Sequence, residues 1–265
     1  MSDIDLIFEA PLARIRLNRP SRRNAVSRVM WLALPEICVA IEARSDALAV
    51  VVEGAGGHFC AGADISEFPE VYRDAATTRE YVGAIQRGLG ALAALDRPTI
   101  AALSGVAVGG GFGLALCCDL RFCAEDAHLA ITPARLGLLY GHVETQRVVE
   151  LVGPARAKDL LFSGRRIDPV EALAIGLVDR LVPAEALPGV IDEYAADLAR
   201  LSQEAIRGAE RAVDAIARGM NEEGGEFRAA TEDAALGEDF LQGRAAFAAK
   251  RAPNFTFGGA TSAGD

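Results

Sequence analysis

The chain lacks the marks of several large classes of protein. No apolar run approaches the ~20 residues that a membrane-spanning helix needs, because Gly, Pro or charge cuts each one short. Met1 to Glu9 carries acids and no apolar core, so a secretion signal is not expected there. The five cysteines, Cys38, Cys60, Cys117, Cys118 and Cys123, are odd in number and form no C-x-x-C pair or Cys/His spacing suited to a metal. A disulfide framework and a bound metal are therefore not expected, and reduced thiols in a cytoplasmic protein are. An excess of base is missing too. Net charge is −10 and the isoelectric point about 4.9, which argues against a general nucleic-acid binder.

What is present is apolar mass and glycine. Of 265 residues, 51% are hydrophobic, enough for one large domain or a core with a smaller appendage. Ile4–Phe8 and Ala13–Leu17 alternate as a half-buried hairpin about the Ala10-Pro11 turn. Ser27 is the expected N-cap of a helix running to about Ala43, with Val29, Leu32, Ile37 and Ile41 at helical spacing. Ala47–Val52 and Pro98–Leu103 read as buried strands. A glycine-rich loop follows each. The polar stretch from the first loop to about Thr77 reads as a mobile loop, and Thr78–Leu95 as a helix. Strands are expected at Leu120–Ala124, His128–Ile131 and Leu177–Leu181. Helices are expected over Thr145 to Phe162, broken at Gly153-Pro154, and from the Asp168 cap to Gly176. From Glu185 the pattern is helical only, interrupted at Gly224-Gly225, and Gly258 to Asp265 reads as a disordered end.

The two glycine loops carry the chemistry. They are Phe59-Cys60-Ala61-Gly62-Ala63-Asp64-Ile65 and Ser104 to Gly113. Successive glycines let backbone approach a ligand and aim N–H groups at it. A helix starting after Gly110 adds the positive end of its dipole. The alternative is a plain tight turn or a close helix–strand contact. No G-x-G-x-x-G fits these glycines and no G-K-S/T follows, so neither a dinucleotide fingerprint nor a P-loop is present.

Arg19-Pro20 with Asn24-Ala25, Phe59 to Asp64, Ala107 to Gly111, Cys118-Asp119, Thr145-Gln146-Arg147, Glu171-Ala172 with Gly176-Leu177-Val178, and the closing Ala246 to Phe255 stand in one order and spacing. That ordered set resembles the crotonase (enoyl-CoA hydratase/isomerase) family, from about residue 4 to 257. The resemblance implies an α/β fold, a spiral of ββα turns over residues 1–200, and a C-terminal helical region over 201–265 that assembles trimers or hexamers. It implies an acyl-CoA thioester as substrate. Coenzyme A is then part of the substrate, and no separate cofactor is expected. In the family, two backbone N–H groups hold the thioester oxygen, and by motif position these belong to Ala63 and Gly110. Contacts to coenzyme A fall on Arg22, Arg23, Ala25, Ala61, Asp64 and Ile65, with Lys250 reaching a neighbouring subunit's ligand. Arg22 and Arg23 can equally be a solvated pair, and Asp64 a residue that ties down its loop.

The sequence departs from the family's hydratases at two places. Their two catalytic glutamates match Gly113 and Pro133 here. Hydration activates water and delivers a proton, so it needs such groups. Thr132 to Tyr140 resembles the matching stretch of methylmalonyl-CoA decarboxylase, where a tyrosine at the position of Tyr140 orients a carboxylate. Tyr140, His142 and Glu144 are the candidates to replace the missing pair, although Glu144 also suits a helix cap. Hydration, isomerisation, decarboxylation and plain acyl-CoA binding all stay open at this point.

Overall fold

The computed structural model describes residues 2–220 and 224–255. The expected disordered end, Gly258 to Asp265, lies outside them. A hairpin opens the chain: β1 (Ile4–Glu9) pairs antiparallel with β2 (Leu12–Leu17). Then α1 (Arg28–Glu42) crosses to β3 (Ala49–Gly54), and α2 (Phe68–Val71) and α3 (Ala75–Leu92) cross to β4 (Thr99–Leu103). β5 (Val106–Val108) and α4 (Gly110–Leu116) lead to β6 (Leu120–Ala124) and β7 (His128–Ala130). α5 (His142–Ser163), β8 (Arg166–Ile167), α6 (Pro169–Ala174) and β9 (Arg180–Val182) follow. α7 (Leu187–Leu198), α8 (Gln203–Ala217), α9 (Gly225–Leu236) and α10 (Glu238–Ala248) end the described chain.

Six strands form the main sheet in the order β1-β2-β3-β4-β6-β9, parallel from β2 onward, and β5-β7-β8 form a smaller second sheet. The continuous apolar runs follow from burial on both faces. Val50, Val52, Ala101, Leu103 and Cys123 face the larger core with α1, α3 and α4. Ala49, Val51, Ile100, Ala102, Phe122 and Ala124 face the smaller one, closed by Leu187, Ile191 and Ala195 of α7. Arg121 is buried between the layers, where its guanidinium donates to the carbonyls of Leu177 and Cys118 and pairs with Asp179 at 2.8 Å.

Several expectations change. α1 buries only part of the expected stripe: Ile41 is buried together with Met30, Trp31, Leu34 and Cys38, and Ile37 packs partly against the core, while Val29 and Leu32 are exposed. Ser27 occupies the N-cap, yet its hydroxyl makes no cap bond. The carboxylate of Glu67 instead accepts from the Arg28 N–H at 2.7 Å. The stretch expected to be a mobile loop is folded. It carries a short turn at Ile65–Glu67, then α2, then α3, which Asp74 and Thr77 open as a reciprocal capping box. β5 and β8 are not expected from the sequence: β5 lies inside the glycine-rich loop, and the two residues of β8 are too few to show a period. α5 begins at His142, three residues before the expected start, and breaks at Gly153 as expected.

Candidate active site

The two glycine loops are zipped edge to edge. The Cys60 N–H donates to the Val106 carbonyl at 2.8 Å, and the Val108 N–H to the Cys60 carbonyl at 3.0 Å. On its other edge the first loop is held by Val26, which donates to the Gly62 carbonyl at 2.8 Å and accepts from the Asp64 N–H at 2.9 Å. In this parallel bridge Val26 stands opposite Ala63, so the Ala63 N–H turns the other way, toward the second loop. A Cβ built on Gly110 would lie 3.5 Å from the Ala63 nitrogen, and one built on Gly62 would lie 3.5 Å from the Gly110 nitrogen. The two N–H groups are thus close neighbours. Neither donates to a backbone acceptor among the described residues, and Gly110 opens α4, where the first N–H groups have no partner within the helix.

Glycine is required for this approach. Gly62 has φ +102°, and a Cβ on Gly111 would meet the Cys60 carbonyl oxygen at 2.5 Å. Behind the loops, Asp64 pairs with Arg19 at 2.8 Å and accepts from the Ser66 hydroxyl at 2.6 Å. Burial alone would raise its pKa, but Ser66 and the Arg19 guanidinium hold it below the usual range. Asn24 donates to the carbonyls of Ala55 and His58 and accepts from the Arg19 N–H, locking the turn at residues 19–24 to the first loop. His58 accepts from the Val106 N–H at 3.2 Å through Nδ1 and so braces the loop.

Facing these loops is the start of α5. Glu144 lies in its first turn and is 6% exposed. Its Cγ would be 3.3 Å from a Cβ on Gly113, and its Oε2 would be 2.7 Å from a Cβ on Gly141. Two bare glycines therefore make room for one carboxylate. Burial pushes the Glu144 carboxyl up, against a smaller pull downward from the backbone N–H groups of Glu144 and Gly141. Tyr140 donates its hydroxyl to the Gly109 carbonyl at 2.6 Å. Burial, and then the charge of Glu144, push that phenol well up, so it stays protonated. The neighbouring thiols of Cys60 and Cys117 are each pushed up to about 12, mainly by burial, and are no nucleophiles at neutral pH.

The remaining expected residues spread outward. His142 is exposed at the first position of α5. Arg22 and Arg23 are exposed, Ala25 and Ala61 are half-buried beside them, and the Ala61 N–H donates to the Arg23 carbonyl at 2.9 Å. Those four form one edge of the loops. Ile65 is exposed, and Lys250 is exposed just beyond α10. The sequence reading missed Trp31, whose Cζ2 would lie 3.6 Å from a Cβ on Gly110. Tyr81 is buried with it, and Tyr72 and Phe68 continue the cluster through edge contacts at 5.5 and 5.0 Å. The available signal was the chain's one tryptophan standing four residues after an N-cap.

A family model described as Enoyl-CoA hydratase/isomerase matches residues 8–258. A probable enoyl-CoA hydratase, echA8, of Mycobacterium bovis is 35% identical over 243 residues, covering 91% of this chain and 93% of its own length. The human enoyl-CoA hydratase domain-containing protein 2, mitochondrial, is 38% identical over 257 residues, covering 92% and 85%. The crystal structure of a putative enoyl-CoA hydratase/isomerase family protein from Hyphomonas neptunium superposes with TM-score 0.94 at 37% identity, covering 97% of this chain and 98% of that one.

Proposed function

The chain belongs to the enoyl-CoA hydratase/isomerase family, whose members process acyl-CoA thioesters, and we propose that it works with a single proton-carrying carboxylate, Glu144. In this reading the thioester oxygen sits between the N–H groups of Ala63 and Gly110. Glu144 takes a proton from the acyl chain, and the C–H electron pair moves into an enolate whose negative charge lies on that oxygen. The two N–H groups are already aimed, so they stabilise the charge as it develops. Glu144, now a carboxylic acid, returns the proton to a carbon of the same chain. The edge formed by Arg22, Arg23, Ala25 and Ala61 is assigned to coenzyme A. Lys250, and assembly into trimers or hexamers, belong to the same reading. The exposed Leu236, Phe240, Leu241 and Phe247 of α9 and α10 support assembly.

The observation that carries this is the buried carboxylate beside Gly113. By motif position, Gly113 and Pro133 stand where the family's hydratases carry glutamates. Glu144 reaches the space beside the first from a different helix, while the second position is proline, which carries no proton-handling group. One carboxylate can move a proton from one carbon to another, whereas adding water asks for two proton-handling groups. This favours double-bond isomerisation over hydration. Decarboxylation of a malonyl-type thioester is favoured less, because the Tyr140 hydroxyl already bonds Gly109.

The test offers purified protein a 3-enoyl-CoA and crotonyl-CoA in parallel. The expected result is conversion of the first to the 2-enoyl isomer with little hydration of the second. Crotonyl-CoA hydration as fast as the isomerisation would overturn the single-carboxylate reading. Acyl-CoA binding with neither reaction would leave a binding protein.

A further inference from the structure

The Gly110 N–H is one end of a peptide unit whose other end is the Gly109 carbonyl. That carbonyl accepts two hydrogen bonds. One is the first bond of α4, from the Gly113 N–H at 3.0 Å. The other comes from the Tyr140 hydroxyl at 2.6 Å, at the short end of the range for O–H···O. Electron density drawn to a peptide oxygen leaves its N–H more positive, because the peptide is conjugated and its hydrogen bonds strengthen one another. The partner donor is backed differently. Ala63 follows the Gly62 carbonyl, which accepts a backbone N–H from Val26 at 2.8 Å.

Resting on the enolate reading above, we propose that Tyr140 is a positioning residue that aims and polarises the Gly110 N–H through the Gly109 carbonyl, without touching substrate. The surroundings suit this task. The phenol is held protonated, so it always donates. Tyr140 and Glu144 are one helical turn apart in sequence at the mouth of α5, so a single segment supplies the base and tunes the donor. The bond also fixes the second loop, since Gly109 has φ +53° and a small rotation there would swing the Gly110 N–H away.

The test compares wild type, Tyr140→Phe, and protein carrying 3-fluorotyrosine at position 140. The ring stays in place in all three while the hydroxyl is removed or made more acidic. Each binds butyryl-CoA labelled with carbon-13 at the thioester carbonyl, and difference infrared spectroscopy reads the stretch. Exchange of the α-protons with deuterated solvent gives the rate. Wild type should lower the carbonyl frequency relative to free ligand. Tyr140→Phe should lower it less and exchange about tenfold more slowly, with KM within about twofold, as loss of one neutral hydrogen bond predicts. The fluorinated protein should lower the frequency further. Equal frequencies and rates in all three overturn the role of Tyr140 and leave the enolate reading standing. No lowering in wild type overturns the enolate reading, and the inference with it. Should Tyr140→Phe fail to fold, the fluorinated protein alone decides.

Discussion

The glycine loops on one side of the site and the start of α5 on the other both bring polar groups to the same place, by opposite means. The loops use backbone. Their N–H groups carry no side chain, and they are aimed by strand-like bonds to Val26, Val106 and Cys60. The α5 side uses side chains, Tyr140 and Glu144, in space left by Gly113 and Gly141. A backbone donor is insensitive to residue identity but fails when the chain path shifts. A buried carboxylate tolerates a shift of path but depends wholly on its own chemistry, and it costs folding free energy when ionised.

Four substitutions probe that contrast. Glu144→Gln leaves the shape and removes the proposed proton carrier. Exchange of butyryl-CoA α-protons should fall by about 10³-fold, within the range for losing a general base. Stability should move the other way. Burial lifts the folded pKa of Glu144 above its unfolded value, so the native state loses stability as pH rises through that range. The amide escapes this loss, and its Tm at neutral pH and above should match or exceed wild type. A wild-type exchange rate in this variant would break the side-chain half of the account. Gly62→Ala attacks the backbone half. It strains a residue at φ +102° and places a Cβ 3.1 Å from the Val108 carbonyl oxygen. Exchange should fall about 10²-fold, as for a misplaced donor, and Tm should fall as well. Gly113→Ala puts a Cβ 3.3 Å from the Glu144 Cγ, so the carboxylate must move aside. Exchange should drop roughly tenfold or less, with binding of butyryl-CoA kept. His142→Ala, at an exposed position, should change the rate by less than about twofold.

The same contrast explains what the sequence let one read. Backbone sites leave a trace, because only glycine and small residues permit the approach of Gly62 to Gly110 and of Gly111 to Cys60. The parallel strands were legible as continuous apolar runs such as Ala49 to Val52, buried on both faces. Side-chain sites leave less. Glu144 suits a helix first turn as well as a catalytic pocket, and only the fold puts it against Gly113, which is distant in sequence. The sequence offers Tyr140 as a candidate for the site, with substrate-facing and core-packed placements both open. Its bond to Gly109 depends on how the α5 segment folds back over the second loop, which no local pattern encodes. Trp31 was hidden because α1 carries apolar residues on more than one face, so spacing alone did not select the buried one.

The pH dependence of α-proton exchange tests the central claim most directly. Wild-type protein with saturating butyryl-CoA in deuterated buffer is followed by proton NMR across about pH 5 to 9, which brackets a carboxyl lifted by burial. The account predicts exchange that rises with pH through one inflection above the ordinary glutamate value of 4.5 and then levels off. That inflection should vanish in Glu144→Gln and persist in His142→Ala. Absence of exchange in wild type, or an inflection that survives Glu144→Gln, would contradict it.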